Sequence, residues 1–364
     1  MRIAVDARPL SAPRTGIGRY LAELLQRMLK GSNHQWFLYG PAPAWEKFSP
    51  SLNGPSAVPP NVVVRTPDLL GELHAQVQFP RWVALDRADV FWSPRHRVPV
   101  RLPTPAVVTI HDLVWKHAPE TMRPLGYVLE RAMMPRSINR ANRLIAVSRA
   151  TKCSIQRHFP EAAHKTTVVH AASFVSPSVI PVPQVPRPYG LFVGTVEPRK
   201  NLQRLLAAFT RIKDDVQHDL HLVGGAGWRM PKPDALVRAH GLESRVHALG
   251  SLEDEDLLAQ YAGCDFVALP SLYEGFGLPI IEAMTFGKPV LTGNTSSMPE
   301  IAGDAGLFVD PASIDDIACG LKRMMTDASL RSRLAGAARR RAMDFSWDSA
   351  AAETIRVIES AATA

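Results

Sequence analysis

Ten consecutive residues, Tyr273-Glu274-Gly275-Phe276-Gly277-Leu278-Pro279-Ile280-Ile281-Glu282, set two carboxylates around a glycine-rich turn. The run before them, Cys264-Asp265-Phe266-Val267-Ala268-Leu269-Pro270, reads as a buried strand. Pro279 suits the first turn of a helix, where its missing N–H costs nothing. The backbone N–H groups of Phe276, Gly277 and Leu278 would then point out of a helix N-terminus, a place that binds phosphate. Glu274 falls in the loop before that point and Glu282 about one turn inside the helix. A diphosphate flanked by two hydroxyl-binding carboxylates suits a sugar nucleotide. The plainer reading of the same residues is a strand-to-helix turn with two solvated glutamates.

A second element of this kind lies upstream. The strand-like Tyr189-Gly190-Leu191-Phe192-Val193-Gly194 is followed by Thr195-Val196-Glu197-Pro198-Arg199-Lys200-Asn201 and an amphipathic segment, residues 202–212. Pro198 biases Glu197 toward an extended conformation, and an asparagine at 201 is a side-chain cap for the following helix. Arg199 and Lys200 are thereby presented at the carboxyl end of a strand, where open α/β sheets bind ligands. Two adjacent cations there suit phosphate; a solvated turn is the alternative.

These motifs resemble the retaining glycosyltransferases of family four. The resemblance rests on Gly194 to Asn201, on the seven-residue gap between Glu274 and Glu282, on Asp6-Ala7-Arg8-Pro9-Leu10 with Thr15-Gly16-Ile17-Gly18-Arg19-Tyr20, and on Thr109-Ile110-His111-Asp112-Leu113. It implies an α/β chain of the GT-B type: two Rossmann-like βαβ domains with mainly parallel sheets facing each other across a cleft. Within the family the combination is most similar to bacterial mannosyl- and rhamnosyltransferases of surface polysaccharide (O-antigen) synthesis. The resemblance implies a hexose moved with retention from a nucleotide-diphosphate sugar, GDP-linked in preference to UDP-linked, to a glycan or lipid-linked oligosaccharide. By the same resemblance Arg199 and Lys200 neutralise the departing diphosphate, helped by Phe276, Gly277 and Leu278. Glu274 holds donor sugar hydroxyls, Glu282 the ribose, His111 faces the donor sugar, and the Gly16–Gly18 loop closes over the phosphates. No cofactor and no metal are expected.

Taken alone, several of these residues have a structural reading. Gly16 and Gly18, before a helix beginning near Arg19, let the chain turn sharply as readily as they admit a diphosphate, and they do not complete a dinucleotide fingerprint. His111, ending the strand 105–110, could bind a hydroxyl, carry a proton or cap the sheet; Asp112 could be a base or a loop stabiliser. His96 and His117 read as surface residues without partners. Asp254-Glu255-Asp256 contains an Asp-x-Asp string, but at the start of a helical segment it reads as N-terminal capping rather than a metal site. Arg136, Arg140 and Arg143 read as a basic face, solvated or turned to anionic lipid. Arg339-Arg340-Arg341 reads as a solvated helix face.

A chain of 364 residues exceeds what one core normally supports. The expected division is an N-terminal acceptor-side domain, 1–176, a proline-rich linker, 177–188, and a nucleotide-sugar domain, 189–346. The final helix, about 347–361, is expected to return to the first domain. Strands are expected near 2–6, 35–39, 61–66, 89–93, 105–111, 143–147 and 166–170, then near 189–194, 219–224, 245–249, 264–269, 288–292 and 306–309. A loop is expected over 54–60 and a helix over 68–85, broken at Pro80. With 46% hydrophobic and 21% charged residues the composition is that of a soluble globular protein. No apolar run approaches a membrane span, the N-terminus runs directly into a strand with no signal peptide expected, and Cys153, Cys264 and Cys319 read as reduced packing residues of a cytosolic protein. Residues 1–186 carry 23 lysines and arginines against 11 acidic residues, and the remainder 19 against 23. A basic half suits an anionic surface, here the cytoplasmic face of the inner membrane; without an aromatic stacking platform, nucleic acid is not expected. An epimerase or hydrolase on the same fold, or a silent nucleotide-binding scaffold, would share these features.

Overall fold

The computed structural model describes residues 1–12, 15–40, 59–67, 71–175 and 185–363. Residues 54–58 of the expected loop, 68–70 of the expected helix and 176–184 of the proline-rich stretch lie outside the described residues. The chain forms two compact units. Met1–Leu113, Leu125–Ala172 and Ser346–Ala364 make the first, Val114–Pro124 and Ser173–Phe345 the second. The sequence gives no sign that Val114–Pro124 leaves its neighbours for the second unit.

All thirteen segments expected as strands form strands among the described residues. In the first unit they are β1 (Arg2–Asp6), β2 (Gln35–Tyr39), β3 (Val62–Arg65), β4 (Val90–Ser93), β5 (Ala106–Ile110), β6 (Arg143–Ala146) and β7 (Thr166–Val168). In the second they are β8 (Tyr189–Val193), β9 (Asp219–Val223), β10 (Val246–Gly250), β11 (Phe266–Leu269), β12 (Val290–Gly293) and β13 (Gly306–Val309). The orders are β3-β2-β1-β4-β5-β6-β7 and β10-β9-β8-β11-β12-β13. Every pairing is parallel. Parallel strands covered on both faces read as continuous apolar runs. Ala106-Val107-Val108-Thr109-Ile110 is such a run, buried at all five positions. In each sheet the strand order reverses beside the first strand, between β1 and β4 and between β8 and β11.

Helices fill the crossovers. The first, Gly16–Gly31, starts three residues earlier than expected because Thr15 caps it, its Oγ1 accepting from Gly18 N at 3.1 Å. A Cβ at Gly18 would lie 2.4 Å from the Ala12 carbonyl oxygen and 2.9 Å from that of Pro9. Close packing of the preceding turn onto this helix therefore requires a glycine at 18 whether or not a ligand approaches. The expected break at Pro80 does not occur: one helix runs Glu72–Leu85 with the proline inside it. Buried Ala75, Phe79 and Val83 fix that face to the core, and tertiary packing outweighs the lost hydrogen bond.

The last helix, Trp347–Ala362, is capped by Ser346 and packs in the first unit against Gly16–Gly31 and strands β4 to β6. Trp347 is 5% exposed and meets the ring of Tyr20 edge-on at 5.9 Å. Truncating a buried tryptophan removes its transfer free energy and leaves a cavity. Trp347→Ala is expected to cost about 3–5 kcal/mol, read as a lower midpoint in denaturant unfolding.

Candidate functional site

In the second unit, three loops at the carboxyl ends of adjacent strands β8, β11 and β12 are tied together at the point where the strand order reverses. Leu272 N donates to Arg199 O at 2.9 Å, and Arg199 Nη1 donates to Tyr273 O at 2.8 Å. From the β12 loop, Thr295 Oγ1 donates to Leu272 O at 3.1 Å, and Ser296 Oγ accepts from Glu274 N at 3.0 Å. Ser297 Oγ lies 2.9 Å from the carbonyl oxygens of both Glu274 and Phe276. The serines and threonine at 295–297 went unremarked in the sequence, though three hydroxyls at the end of an apolar strand are a usable signal.

Arg199, Lys200 and Glu274 meet. The Glu274 carboxylate is 6% exposed. It accepts from Arg199 Nη1 at 2.6 Å, Lys200 Nζ at 2.7 Å and Ser271 Oγ at 2.8 Å. Glu197 accepts from Arg199 Nη2 at 2.5 Å. Burial alone would push the Glu274 carboxyl up, but the Arg199 and Lys200 charges, with the Lys200 and Ser271 hydrogen bonds, bring it down to about 2. The two cations expected to await a phosphate are thus matched by two carboxylates of the same loops.

Asn201 departs from expectation. It stands at the N-cap with left-handed backbone, φ 62°, and makes no side-chain cap. Its amide instead donates to Pro270 O at 2.9 Å and Pro311 O at 2.7 Å, joining the loops after β11 and β13. The helix Leu278–Thr285 starts with Pro279 in its first turn, and Gly277 precedes it at φ 101°, a conformation that favours glycine. Phe276 is buried and meets Phe345 edge-on at 6.0 Å. Glu282, inside this helix, is buried and accepts from Tyr261 Oη at 2.6 Å, a partner not anticipated. The Asp254 to Asp256 string occupies the first turn of Asp254–Gly263, with Glu253 at the N-cap making no side-chain cap. Among the described residues no group of three or more His, Cys, Asp and Glu is placed to hold a metal.

In the first unit His111 follows β5. Its Nε2 lies 2.7 Å from Pro94 O, an acceptor only, so Nε2 carries the hydrogen and Nδ1 is the ring's acceptor. Tyr20 meets the imidazole edge-on at 4.9 Å, so the Gly16–Gly31 helix and, through Tyr20, Trp347 position it. Burial pushes its pKa down to about 4, opposed by the Pro94 bond and Asp112 and assisted by His96 and Arg95. A neutral imidazole at neutral pH suits hydroxyl binding better than proton carriage.

Five further expectations change. His96 is not unpartnered: Nε2 lies 2.9 Å from Glu130 Oε1. His117 is exposed but stacks on Tyr273 at 5.1 Å within the second unit. There Trp228 Nε1 donates to Thr121 O at 2.8 Å, and Arg229 Nη1 to Glu120 O at 2.9 Å. Of the expected basic face Arg136 is exposed, but Arg140 Nη2 caps the Leu102 and Thr104 carbonyls and Arg143 begins β6. Arg341, expected in solvent, donates to Glu300 O and Ile301 O and lies 4.9 Å from the Phe345 ring centroid. Cys264 is buried, whereas Cys153 and Cys319 are exposed free thiols rather than packing residues.

Comparison with known proteins shows the family and the fold. The model of glycosyl transferases group 1 matches residues 181–341, and that of glycosyltransferase family 4 matches residues 14–172. O-antigen chain mannosyltransferase B of Escherichia coli is 32% identical over 98% of both chains. Among solved structures, sucrose-phosphate synthase from Thermosynechococcus elongatus superposes with a TM-score of 0.76 at 20% identity, covering 99% of this chain and 98% of that one. The Anabaena protein HepE in complex with UDP-glucose gives 0.73 at 21%, covering 98% and 99%. Two Rossmann-like units of parallel strands with these likenesses define the GT-B glycosyltransferase class. The chain belongs to the group 1 and family 4 glycosyltransferases and is a hexosyltransferase.

The Glu274 cluster makes folding acid-sensitive in a defined window. Its folded pKa of about 2 lies below the ordinary 4.5, so its stabilisation is complete above the ordinary value and is lost as pH falls through the folded one. Glu274→Gln is expected to lower stability at neutral pH and to flatten the loss between about pH 4.5 and 2, followed by circular dichroism during acid titration.

Proposed function

We propose that this hexosyltransferase moves mannose, with retention and without a metal, from a GDP-linked donor to a glycan or lipid-linked oligosaccharide of surface polysaccharide. The observation that carries the donor half is the meeting of Arg199, Lys200 and Glu274 at the strand-order reversal of the second sheet. A diphosphate arriving there meets two cations held in place before it binds, so little reorganisation is needed to stabilise the departing charge. Phe276, Gly277 and Leu278 add backbone donors at a helix N-terminus. Glu274 takes the sugar hydroxyls and Glu282 the ribose. With two positive side chains at the leaving group, no metal is required for its neutralisation.

The sugar is assigned from the relative. A protein called O-antigen chain mannosyltransferase B that aligns over nearly the whole of both chains supports mannose and a polysaccharide acceptor. The first unit takes the acceptor, with His111 offering a neutral imidazole to a hydroxyl. The excess of basic residues over 1–186 favours work at an anionic membrane surface, the cytoplasmic face of the inner membrane. Among the described residues no helix is long and apolar enough to cross a membrane. A uridine donor is the second reading, favoured by the likeness to HepE bound to UDP-glucose.

Titration calorimetry with GDP-mannose and UDP-glucose decides between them. Wild type is expected to bind the guanosine donor, and the Arg199→Ala, Lys200→Ala double variant to lose at least about tenfold in affinity. Binding of the uridine donor alone overturns the guanosine assignment, and binding of neither favours a silent scaffold. Retention is checked on the product, whose new linkage should keep the donor's anomeric configuration by NMR.

A further inference from the structure

In the first unit a second set of charges lies beside His111, whose partner Pro94 directly precedes Arg95. It is built at the carboxyl ends of β1 and β4, the neighbours between which that sheet reverses its order and where α/β sheets take ligands. Asp6 ends β1 and accepts from Arg8 Nε at 2.8 Å and Nη2 at 2.7 Å. Arg8 Nη2 is 3.6 Å from Glu72, which in turn is 2.9 Å from Arg95 and 3.4 Å from Arg97, two residues that follow β4. Arg97 Nη2 and His96 Nε2 both meet Glu130 Oε1. Three arginines face three carboxylates, so these six side chains balance in charge.

Its hydrogen bonding is incomplete. Among the described residues, Arg8 Nη1, Arg97 Nε, His96 Nδ1 and Glu130 Oε2 are all buried and have no hydrogen-bond partner. Arg8 is 5% and Glu130 7% exposed. Buried groups of this kind are almost always paired, and an unpaired one is destabilising. Four in one contiguous chain, at a ligand-binding position of the fold, mark a place prepared for an occupant.

We propose that this cluster is a subsite for a neutral, polyhydroxylated ring, the sugar of the acceptor. The inference rests on the glycosyltransferase reading above and names what its acceptor side recognises. Two guanidinium N–H donors, one carboxylate oxygen and one imidazole nitrogen match vicinal hydroxyls, each of which donates and accepts. A phosphate is anionic and would be repelled by Glu130 Oε2, while the arginines that could attract it are already paired with carboxylates. The His96 and Arg97 contacts hold the Glu130 carboxyl at about 2 against its burial, so it remains an acceptor throughout the neutral range. Glu72 and Arg95, at 21% and 24% side-chain exposure, are the most exposed members of the chain of contacts.

The test uses the full chain with methyl α-D-mannopyranoside as the probe, observed by saturation-transfer NMR. Wild type is expected to bind the probe. Glu130→Gln, which keeps the side chain's shape, and His96→Asn, which leaves the Arg97–Glu130 pair intact, are each expected to weaken it by about tenfold or more. Inorganic phosphate is expected not to compete, and calorimetry with the nucleotide sugar that wild type binds is expected to give the same donor affinity in all three proteins. Thermal melts identify a variant that fails to fold, in which case the other is read. No saturation of the mannoside by wild type, equal binding by folded variants, or competition by phosphate overturns the subsite. Loss of the glycosyltransferase reading would appear separately, as absence of donor binding in wild type itself.

Discussion

The buried Glu274 carboxylate, held by two cations and a serine hydroxyl, is the constraint on which the second unit's working end depends. A carboxylate out of water must be neutralised or fully paired. Here one oxygen takes Lys200 and Ser271 and the other takes Arg199. These partners come from the loops after β8 and β11, so ionising Glu274 fixes the separation of those loops. The β12 loop adds its serines to the backbone on either side. Buried ion pairs of this kind contribute little net stability compared with apolar packing; what they specify is geometry. A cation pair whose charge is already oriented is suited to a ligand that brings its own negative charge.

The first unit solves a different problem at its strand ends. His111 is neutral and is held by packing: Tyr20 lies against the ring, and Trp347 of the last helix lies against Tyr20. The chain's final helix therefore supports a residue more than two hundred positions earlier. Val114–Pro124, which begins three residues after His111, belongs to the second unit and is secured there by Trp228, Arg229 and the His117–Tyr273 stack. Tyr273 immediately precedes Glu274, so a segment lying in sequence between two parts of the first unit is packed beside the second unit's ion cluster.

Both sheets place their charged residues beside the strand pair where the order reverses, and in both the charges are balanced by local partners. The balance differs in completeness. Both Glu274 oxygens have donors, whereas around Glu130 donors and acceptors remain unpaired among the described residues. The first arrangement suits exchange of one charged partner for another, the second the gain of neutral hydrogen bonds.

What the sequence determined was local. Parallel strands covered on both faces read as short apolar runs, and all thirteen were legible because such runs recur between helical segments and are bounded by turn residues. The turns that carry Arg199, Lys200, Glu274 and Glu282 were legible too, since proline and glycine restrict the backbone within a few residues of themselves. What tertiary structure decided was partnership. Nothing near position 201 indicates that Asn201 adopts a left-handed conformation to reach Pro270 and Pro311 instead of capping its helix. Nothing near Pro80 shows that buried Phe79 and Val83 carry the helix through it. Glu274 meets Lys200 across 74 positions, and His96 meets Glu130 across 34. Hydrogen bonds and ion pairs act over a few ångströms of space, whereas sequence patterns record neighbours along the chain. The elements could therefore be read before folding, and the pairings only after it.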